Sequence, residues 1–338
     1  MAITMVPSAL RSSGICAGRS PLRSFRRSYT CAITRGIPNT FGDALSSKSD
    51  AAVTISVPKA KEEHAEYVSF MRKVLPTIHL PASDEFPDCP FVEDGAVVIG
   101  NQALITKIGA KTREGEVDAI RTALTQLGLD ITDMNEECEG GIGGSNATVD
   151  GGDVLFPVTS FGIVGLQTDV GDTSNNVEAG RSPTVSKGRH LFVGISGRTN
   201  MEGTKVLEKV FGGSNSIEIV PVPIPTIEES GALHLKSIVT HIDESTLLSP
   251  KGELGDQVLA AMGAKRRGYT AIRLPDISAC NVVAINGYVI ATPTECVESQ
   301  EVFEREMKRR NLNIKYITNI EYAKCDGAMT CRSILLDI

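Results

Sequence analysis

The order of short apolar segments along the chain repeats, and this repeat constrains the fold more than any other feature of the sequence. Two short strand-like runs, at residues 91–98 and 103–106, come first. A stretch in which Val117 and Ile120 are spaced as on a helix follows, and a strand-like run at 129–131 closes the unit. A unit of this kind buries its apolar face only by stacking on neighbouring copies. Because each unit combines strands with a helix, the chain is predicted to be an α/β protein.

The same order of segments recurs along the rest of the chain. It is repeated at 154–221, 233–274 and 281–317. A fifth unit is split between the ends of the chain. The segment 31–80 begins with a strand-like run and contains a predicted helix at 62–74, whereas the C-terminal strand 334–336 has no helix after it. Joining the two ends closes five units into a ring, which predicts one domain at 31–338.

The first 42 residues differ in composition from everything that follows. They contain six arginines and several serines, but no lysine and no acidic residue. This composition is typical of an organellar transit peptide, and no long apolar segment indicates a secretory signal. We therefore expect residues 1–30 to be a mitochondrial targeting peptide, with a plastid or cytoplasmic location, or a merely disordered tail, as the alternatives.

Two segments interrupt the repeats and are predicted to be flexible insertions. Residues 139–145 are rich in glycine but lack the Lys-Ser/Thr pair of a phosphate-binding loop. Residues 167–189 are polar and show no periodicity.

Composition argues against several classes of function. The net charge of -7 disfavours nucleic-acid binding. No apolar run approaches the thickness of a bilayer, so no membrane partner is expected. The eight cysteines include no Cys-x-x-Cys pair, so the sequence predicts no zinc motif.

Two acidic motifs lie at the edges of the repeated units. The segment 87–94 (PDCPFVED) brings Asp88, Glu93 and Asp94 to the entry of a predicted strand. Such a cluster is either a turn with solvated charges or a set of carboxylates that grips a planar guanidinium. The segment 146–154 (NATVDGGDV) places acids around a Gly-Gly pair, which also fits a simple tight turn.

A histidine and a cysteine complete the candidate site. His234 lies among apolar residues on a predicted strand at 231–237 (GALHLKS), where a histidine is often only a core residue. Cys331 stands where a turn of small residues meets the C-terminal strand, and free cysteine is also a common core residue. However, a thiol, a histidine and an orienting acid from separate strands are what nucleophilic catalysis needs.

These motifs together resemble the dimethylarginine dimethylaminohydrolases, a branch of the guanidino-modifying pentein superfamily. The resemblance spans about residues 35–336 and is carried by 87–98, 146–156, 192–200, 233–237 and 326–331. It implies a single-domain five-bladed α/β-propeller of ββαβ units with pseudo-fivefold symmetry. It also implies hydrolysis of N-omega-methylated arginines to citrulline and dimethylamine or methylamine through a covalent Cys thiouronium, with no metal or organic cofactor.

The resemblance assigns a role to each candidate residue. It implies that Cys331 is the nucleophile, that His234 is the general acid and base, and that Asp150 orients His234. The expected substrate contacts are Asp88, Glu93 and Asp94 at the guanidinium, Arg113 and Arg198 at the α-carboxylate, Leu45 and Cys325 at the amino end, and Asp326. For the two arginines, a solvated charge near a helix start is the alternative.

Two other functions remain open from the sequence. One is a related enzyme of the same superfamily, an arginine deiminase or an amidinotransferase. The other is a non-catalytic relative that only binds guanidino compounds, although the intact set of Cys331, His234 and Asp150 argues against it. A small-molecule ligand is expected in each case.

Overall fold

The strands of the computed structural model pair into five sheets of three strands each. This holds for the residues that the structure describes, which are 29–47, 54–135, 141–144, 146–157, 189–213 and 217–338. The strands are β1 (Cys31–Arg35), β2 (Thr77–Leu80), β3 (Ala96–Ile99), β4 (Gln102–Ile105), β5 (Asp130–Asp133), β6 (Val154–Leu155), β7 (Arg189–Ile195), β8 (Ile217–Pro223), β9 (Thr240–Asp243), β10 (Thr246–Pro250), β11 (Thr270–Leu274), β12 (Val283–Ile285), β13 (Tyr288–Ala291), β14 (Asn313–Tyr316) and β15 (Ile334–Leu336).

Every sheet has the same internal arrangement. The orders are β15-β1-β2, β3-β4-β5, β6-β7-β8, β9-β10-β11 and β12-β13-β14. In each, the first pair is antiparallel and the second pair is parallel. A parallel pair needs a long crossover, and a helix supplies it in every sheet. This is the strand, strand, helix, strand order predicted from the sequence.

Seven α-helices are described, five of which make these crossovers. They are α1 (Val57–Val74), α2 (Val117–Gln126), α3 (Met201–Leu207), α4 (Ile227–Ser230), α5 (Glu253–Ala261), α6 (Val297–Arg309) and α7 (Ile320–Ala323). The first helix starts earlier than the predicted 62–74, because Pro58 is tolerated in the first turn of a helix. Among the described residues, none of the helices combines the length and the apolar character needed to cross a membrane.

The two ends of the chain share one sheet, as predicted. Cys31 in β1 lies opposite Leu336 in β15, and β1 continues in parallel with β2. Five apolar clusters then link each sheet to the next, and the fifth cluster returns to the first sheet, since Ala32 of β1 packs with Val283 of β12. The described sheets therefore form a closed cycle of neighbours.

Two segments that were predicted as strands are tight turns, and both carry site residues. Val92–Gly95 is a 3-10 turn, and β3 begins only at Ala96, where pairing with Ile105 of β4 begins. Likewise His234 precedes the 3-10 turn Leu235–Ser237 and lies outside β9. Neither segment pairs as a strand, because backbone N–H groups donate to carbonyl groups of the same turn, as Asp94 does to Phe91 and Ser237 does to His234.

The other sequence predictions concern residues that are described only in part. The predicted targeting peptide lies outside the described residues except at positions 29 and 30. The predicted insertion at 139–145 is described at 141–144, and that at 167–189 only at Arg189, the first residue of β7.

Candidate active site

A narrow pocket of about 20 Å³ brings together segments that are far apart in the sequence. It is lined by Leu45, Asp88, Phe91, Asp94, Arg113, Arg198, Leu233, His234, Cys325, Asp326, Gly327 and Cys331. All the residues predicted for the site are on its wall except Asp150 and Glu93. The enclosed volume suits about one water molecule.

Asp150 lies behind the pocket and holds His234. Its carboxylate is fully buried and accepts hydrogen bonds from the Gly109 N–H at 2.7 Å and from His234 Nε2, which is 3.2 Å from Oδ2. Burial alone lowers the pKa of His234, but the charges of Asp94, Asp153 and Asp150 outweigh it and raise the pKa to about 9. His234 is therefore an imidazolium at neutral pH, which can donate a proton.

The Gly151-Gly152 turn lets the acidic segments come close to this histidine. A Cβ on Gly152 would lie 2.6 Å from His234 Nδ1, and a Cβ on Gly151 would lie 1.9 Å from the Glu93 carbonyl oxygen. Neither distance is possible for a real side chain. The pair is thus more than the generic turn that its composition suggests.

Asp94 is a buried carboxylate that is already engaged. Its Oδ1 accepts a hydrogen bond from the Gly152 N–H at 3.0 Å, and its Oδ2 is 2.9 Å from Arg113 Nη1. Burial opposes ionisation, but the cations His234 and Arg113 prevail and hold the pKa of Asp94 below its ordinary value. The pocket therefore presents a negative charge beside the candidate nucleophile.

Arg113 is enclosed by acids, in contrast to both expectations from the sequence. It is buried, and its guanidinium bonds to Asp94, to both oxygens of Glu116 at 3.1–3.2 Å from Nε, and to the Phe91 carbonyl. It is neither a solvated charge nor an open fork for a ligand carboxylate. Burial raises the pKa of Glu116 to about 7, although the Arg113 charge opposes this shift.

Arg198 is half-buried on the connection between β7 and α3. Its guanidinium has no hydrogen-bond or ion-pair partner in the part of the chain that the structure describes. Its backbone is fixed, since its N–H donates to Ser196 Oγ at 3.0 Å. Of the two predicted carboxylate-binding arginines, this one has its donors available.

Cys331 lies in the 3-10 turn Thr330–Arg332, directly before β15. The turn is anchored because the buried Arg332 guanidinium stacks 3.9 Å from the Tyr322 ring centroid and Ser333 bonds to Tyr67 at 2.7 Å. Burial and the charges of Glu93 and Asp94 raise the pKa of Cys331, which is a neutral thiol in the free protein.

Asp88 and Asp326 hold the segment that contains Leu45. The Leu45 N–H donates to both oxygens of Asp88 at 3.1 and 3.2 Å, while the Ser47 N–H and hydroxyl donate to Asp326 at 2.6 and 2.9 Å. Leu45 and Cys325 both line the pocket. Asp88, however, supports a neighbouring segment and is not a free carboxylate for a guanidinium.

Glu93 does not line the pocket, which corrects the sequence prediction. Its carboxylate is 2.6 Å from Lys236 Nζ, and both residues line a separate cavity of about 140 Å³. Because Glu93 and Asp94 lie in a 3-10 turn, their neighbouring side chains line different cavities. The sequence contained no signal for the partner, because Lys236 is 143 residues away.

Sequence reasoning assigned no role to three charged residues around the site: Glu116, which pairs with Arg113, Lys236, which pairs with Glu93, and Asp153, which accepts the Leu235 N–H. Glu116 follows Arg113 by three residues, so helical spacing offered a signal for it.

Among the described residues, Asp94, Asp150 and His234 are the one group of three whose ligand-type atoms lie within 4.8 Å of one another. The hydrogen bond between Asp150 and His234 and the ion pair between Asp94 and Arg113 account for the positions of these groups, and we assign no metal to them.

Comparisons with known proteins find relatives of the chain both by sequence and by structure. The chain is 28% identical over 256 residues to DDAH2 of Bos taurus, across 74% of this chain and 72% of the relative. It is 27% identical over 260 residues to the N(G),N(G)-dimethylarginine dimethylaminohydrolase of Streptomyces coelicolor, across 77% and 79%. DDAH from Pseudomonas aeruginosa, solved with citrulline, superposes with a TM-score of 0.69 at 21% identity and covers 91% of this chain and 100% of that one. No family model matches the chain.

The five sheets of three strands agree with the fold of this solved neighbour, and the pocket brings a cysteine, a histidine and carboxylates together on that fold. In sequence and in fold, the chain is similar to proteins named dimethylarginine dimethylaminohydrolase.

Proposed function

We propose that this protein hydrolyses N-omega-methylated arginines to citrulline and dimethylamine or methylamine. The observation that carries the proposal is the convergence of Cys331, His234 and Asp94 on one pocket that also contains Arg198. The activities named for the relatives support the same chemistry. We also infer that the five cyclically linked sheets are the blades of an α/β-propeller.

Asp94 supplies the charge that draws the substrate guanidinium towards the thiol. One carboxylate about 4 Å from a guanidinium contributes roughly 4 kcal/mol at an effective dielectric of ~20, before desolvation is subtracted. Arg113 shares this carboxylate, so the net attraction is smaller than for an isolated Asp94. Arg198 is the residue with free donors for the α-carboxylate.

Substrate binding turns Cys331 into a nucleophile. In the free protein, burial and the nearby negative charges of Glu93 and Asp94 favour the thiol. A bound guanidinium reverses that local charge, so the thiol releases its proton to solvent as the substrate arrives. The thiolate then attacks the guanidinium carbon and forms a C–S bond, giving a tetrahedral adduct.

His234 acts twice in the remaining steps. As an imidazolium it protonates the methylated nitrogen, and the C–N bond breaks to release the amine and leave a thiouronium on Cys331. Neutral His234 then removes a proton from water, and the resulting hydroxide attacks the same carbon. The C–S bond breaks while the hydroxyl of the adduct gives its proton to solvent, which releases citrulline, and the departing thiolate takes up a proton from solvent to restore the Cys331 thiol.

The test is to incubate the protein with asymmetric dimethylarginine, monomethylarginine and arginine and to measure citrulline. We expect citrulline from the methylated substrates and none after Cys331→Ser. Cys296→Ser, the same change at a half-buried thiol outside the pocket, is the control and should retain turnover. Citrulline from arginine alone would instead identify an arginine deiminase, and no citrulline from any of the three would contradict the proposal.

A further inference from the structure

A buried carboxylate that takes no part in these steps connects two walls of the pocket. Asp153 is fully buried, and its Oδ1 accepts a hydrogen bond from the Leu235 N–H at 2.9 Å. Its Oδ2 accepts a hydrogen bond from the Ser196 hydroxyl at 2.6 Å. Leu235 directly follows His234 in the sequence, and Ser196 lies two residues before Arg198. Asp153 therefore joins the segment of the proton donor to that of the free arginine.

The other hydrogen bonds of the Ser196 hydroxyl fix the direction of its hydrogen bond to Asp153. Its oxygen accepts the N–H groups of Arg198 at 3.0 Å and Thr199 at 3.1 Å. A hydroxyl has two acceptor sites and one proton, so the proton must go to Asp153. Both oxygens of Asp153 consequently act as acceptors, and only a carboxylate satisfies every donor around it.

The surroundings also keep this carboxylate in place. A Cβ on Gly194 would lie 2.5 Å from Asp153 Oδ1, so the backbone of β7 packs directly against it. Thr199 extends the connection, because its Oγ1 accepts the N–H of Asp150, the residue that orients His234. Three segments of the site thus depend on one network.

We propose that Asp153 is a positioning residue that sets the distance between the Arg198 segment and the His234 segment. Asp153 does not line the pocket, and the role proposed for it needs no contact with the substrate. It aligns the end of the substrate that Arg198 binds with the end that reacts. The role rests on the proposed function, in which one ligand spans both segments.

Asp153→Asn tests the role with almost no change in size. Asparagine has one carbonyl acceptor and one NH₂ donor. In one orientation the NH₂ group faces the Leu235 N–H, which is also a donor. In the other it faces the Ser196 hydroxyl, whose oxygen already accepts two hydrogen bonds. Small displacements of reacting groups are costly, so kcat/KM for dimethylarginine should fall on the order of ten- to a hundredfold. Both KM and kcat should change, because both segments lose their mutual alignment.

Ser196→Ala tests the connection from Asp153 to the Arg198 segment separately from its connection to the His234 segment. It cuts the connection to Arg198 but leaves the bond from Leu235 to Asp153 intact, so KM should rise while kcat stays near the wild-type value. The matched control is Asp276→Asn. Asp276 likewise accepts a backbone N–H and the hydroxyl of Ser278, at 2.9 and 2.8 Å, but lies outside the pocket. That variant should keep the wild-type KM and kcat even if its Tm falls.

All constants are expressed per active site, counted by labelling Cys331 with the amidinium electrophile chloroacetamidine. A residue that only stabilises the fold would reduce the number of labelled sites and the Tm, but each remaining site would keep the wild-type KM and kcat. That result for Asp153→Asn would overturn the proposal. If Asp153→Asn does not fold, an unchanged KM for Ser196→Ala overturns it instead.

The wild type is measured in the same assay, so that two kinds of failure can be separated. Absence of citrulline from the wild-type protein contradicts the proposed function. In that case the rate at which chloroacetamidine labels Cys331 is compared between the wild type and Asp153→Asn. A slower rate in the variant supports the positioning role, and an equal rate contradicts it.

Discussion

The two arginines of the pocket occupy opposite electrostatic environments. Arg113 is buried between Asp94 and Glu116, and its donors are almost all engaged. Arg198 is half-buried, and its guanidinium has no hydrogen-bond or ion-pair partner within the described segments. The family resemblance assigns the same role to both residues. The difference teaches that residue type and motif place a charge near a site, whereas its neighbours decide whether it is available to a ligand.

The two environments have different consequences for stability and for binding. Removing a charge from a buried, hydrogen-bonded set leaves its partners uncompensated, which destabilises the folded state strongly. Removing a charge without partners affects the fold little, but it removes a contact that a ligand would make. The effect of substitution should therefore fall mainly on folding at Arg113 and mainly on catalysis at Arg198.

The largest expected effect is on folding. Arg113→Ala leaves the carboxylates of Asp94 and Glu116 buried without their cation, so the free energy of unfolding should fall by about 3–5 kcal/mol. Arg198→Ala should change it by no more than about 0.5 kcal/mol. Urea unfolding of both variants at neutral pH measures the difference. Equal losses for the two variants would show that the comparison is wrong.

The next effect is on catalysis at Arg198. Arg198→Lys keeps the charge but loses the paired donors that match a carboxylate. This should cost about 1.5–3 kcal/mol, or roughly ten- to a hundredfold in kcat/KM for dimethylarginine. Methylguanidine, which has no α-carboxylate, is the control substrate, and its slow turnover should not change. A similar fall for both substrates would mean that Arg198 supports the fold.

The smallest effect is a pH dependence of the stability, which comes from Glu116 beside Arg113. The folded-state pKa of Glu116 is raised to about 7, above its ordinary value of 4.5, so the folded state binds more protons than the unfolded state between these values. Its contribution to stability is therefore complete below pH 4.5 and is lost as the pH rises towards 7. Urea unfolding at pH 5 and pH 6.5 should show this loss in the wild type. In Glu116→Gln the change should be smaller by on the order of 1 kcal/mol. The same change in both proteins would exclude Glu116 as its source.

Much of the architecture could be predicted because it follows from local patterns. The spacing of Val117, Ile120 and Leu124 predicts α2, and all three side chains are buried. The boundaries near the site could not be read in the same way. Residues 92–95 and 235–237 have strand-like composition but form 3-10 turns, since strand pairing depends on a partner such as β4 and not on the segment itself.

By itself, the sequence determined the five-unit repeat and the joining of the chain ends in one sheet, and its motifs, through the family resemblance, indicated nine of the twelve residues that line the pocket. These follow from apolar periodicity and from motifs, which are properties of neighbouring residues. Only the tertiary structure decided the environment of each charge: Glu93 faces Lys236 in another cavity, Arg113 is enclosed by acids, and Asp153 bridges Ser196 and Leu235. The physical reason is that hydrogen bonds and ion pairs act over a few ångströms, while their partners here are up to 143 residues apart in the chain.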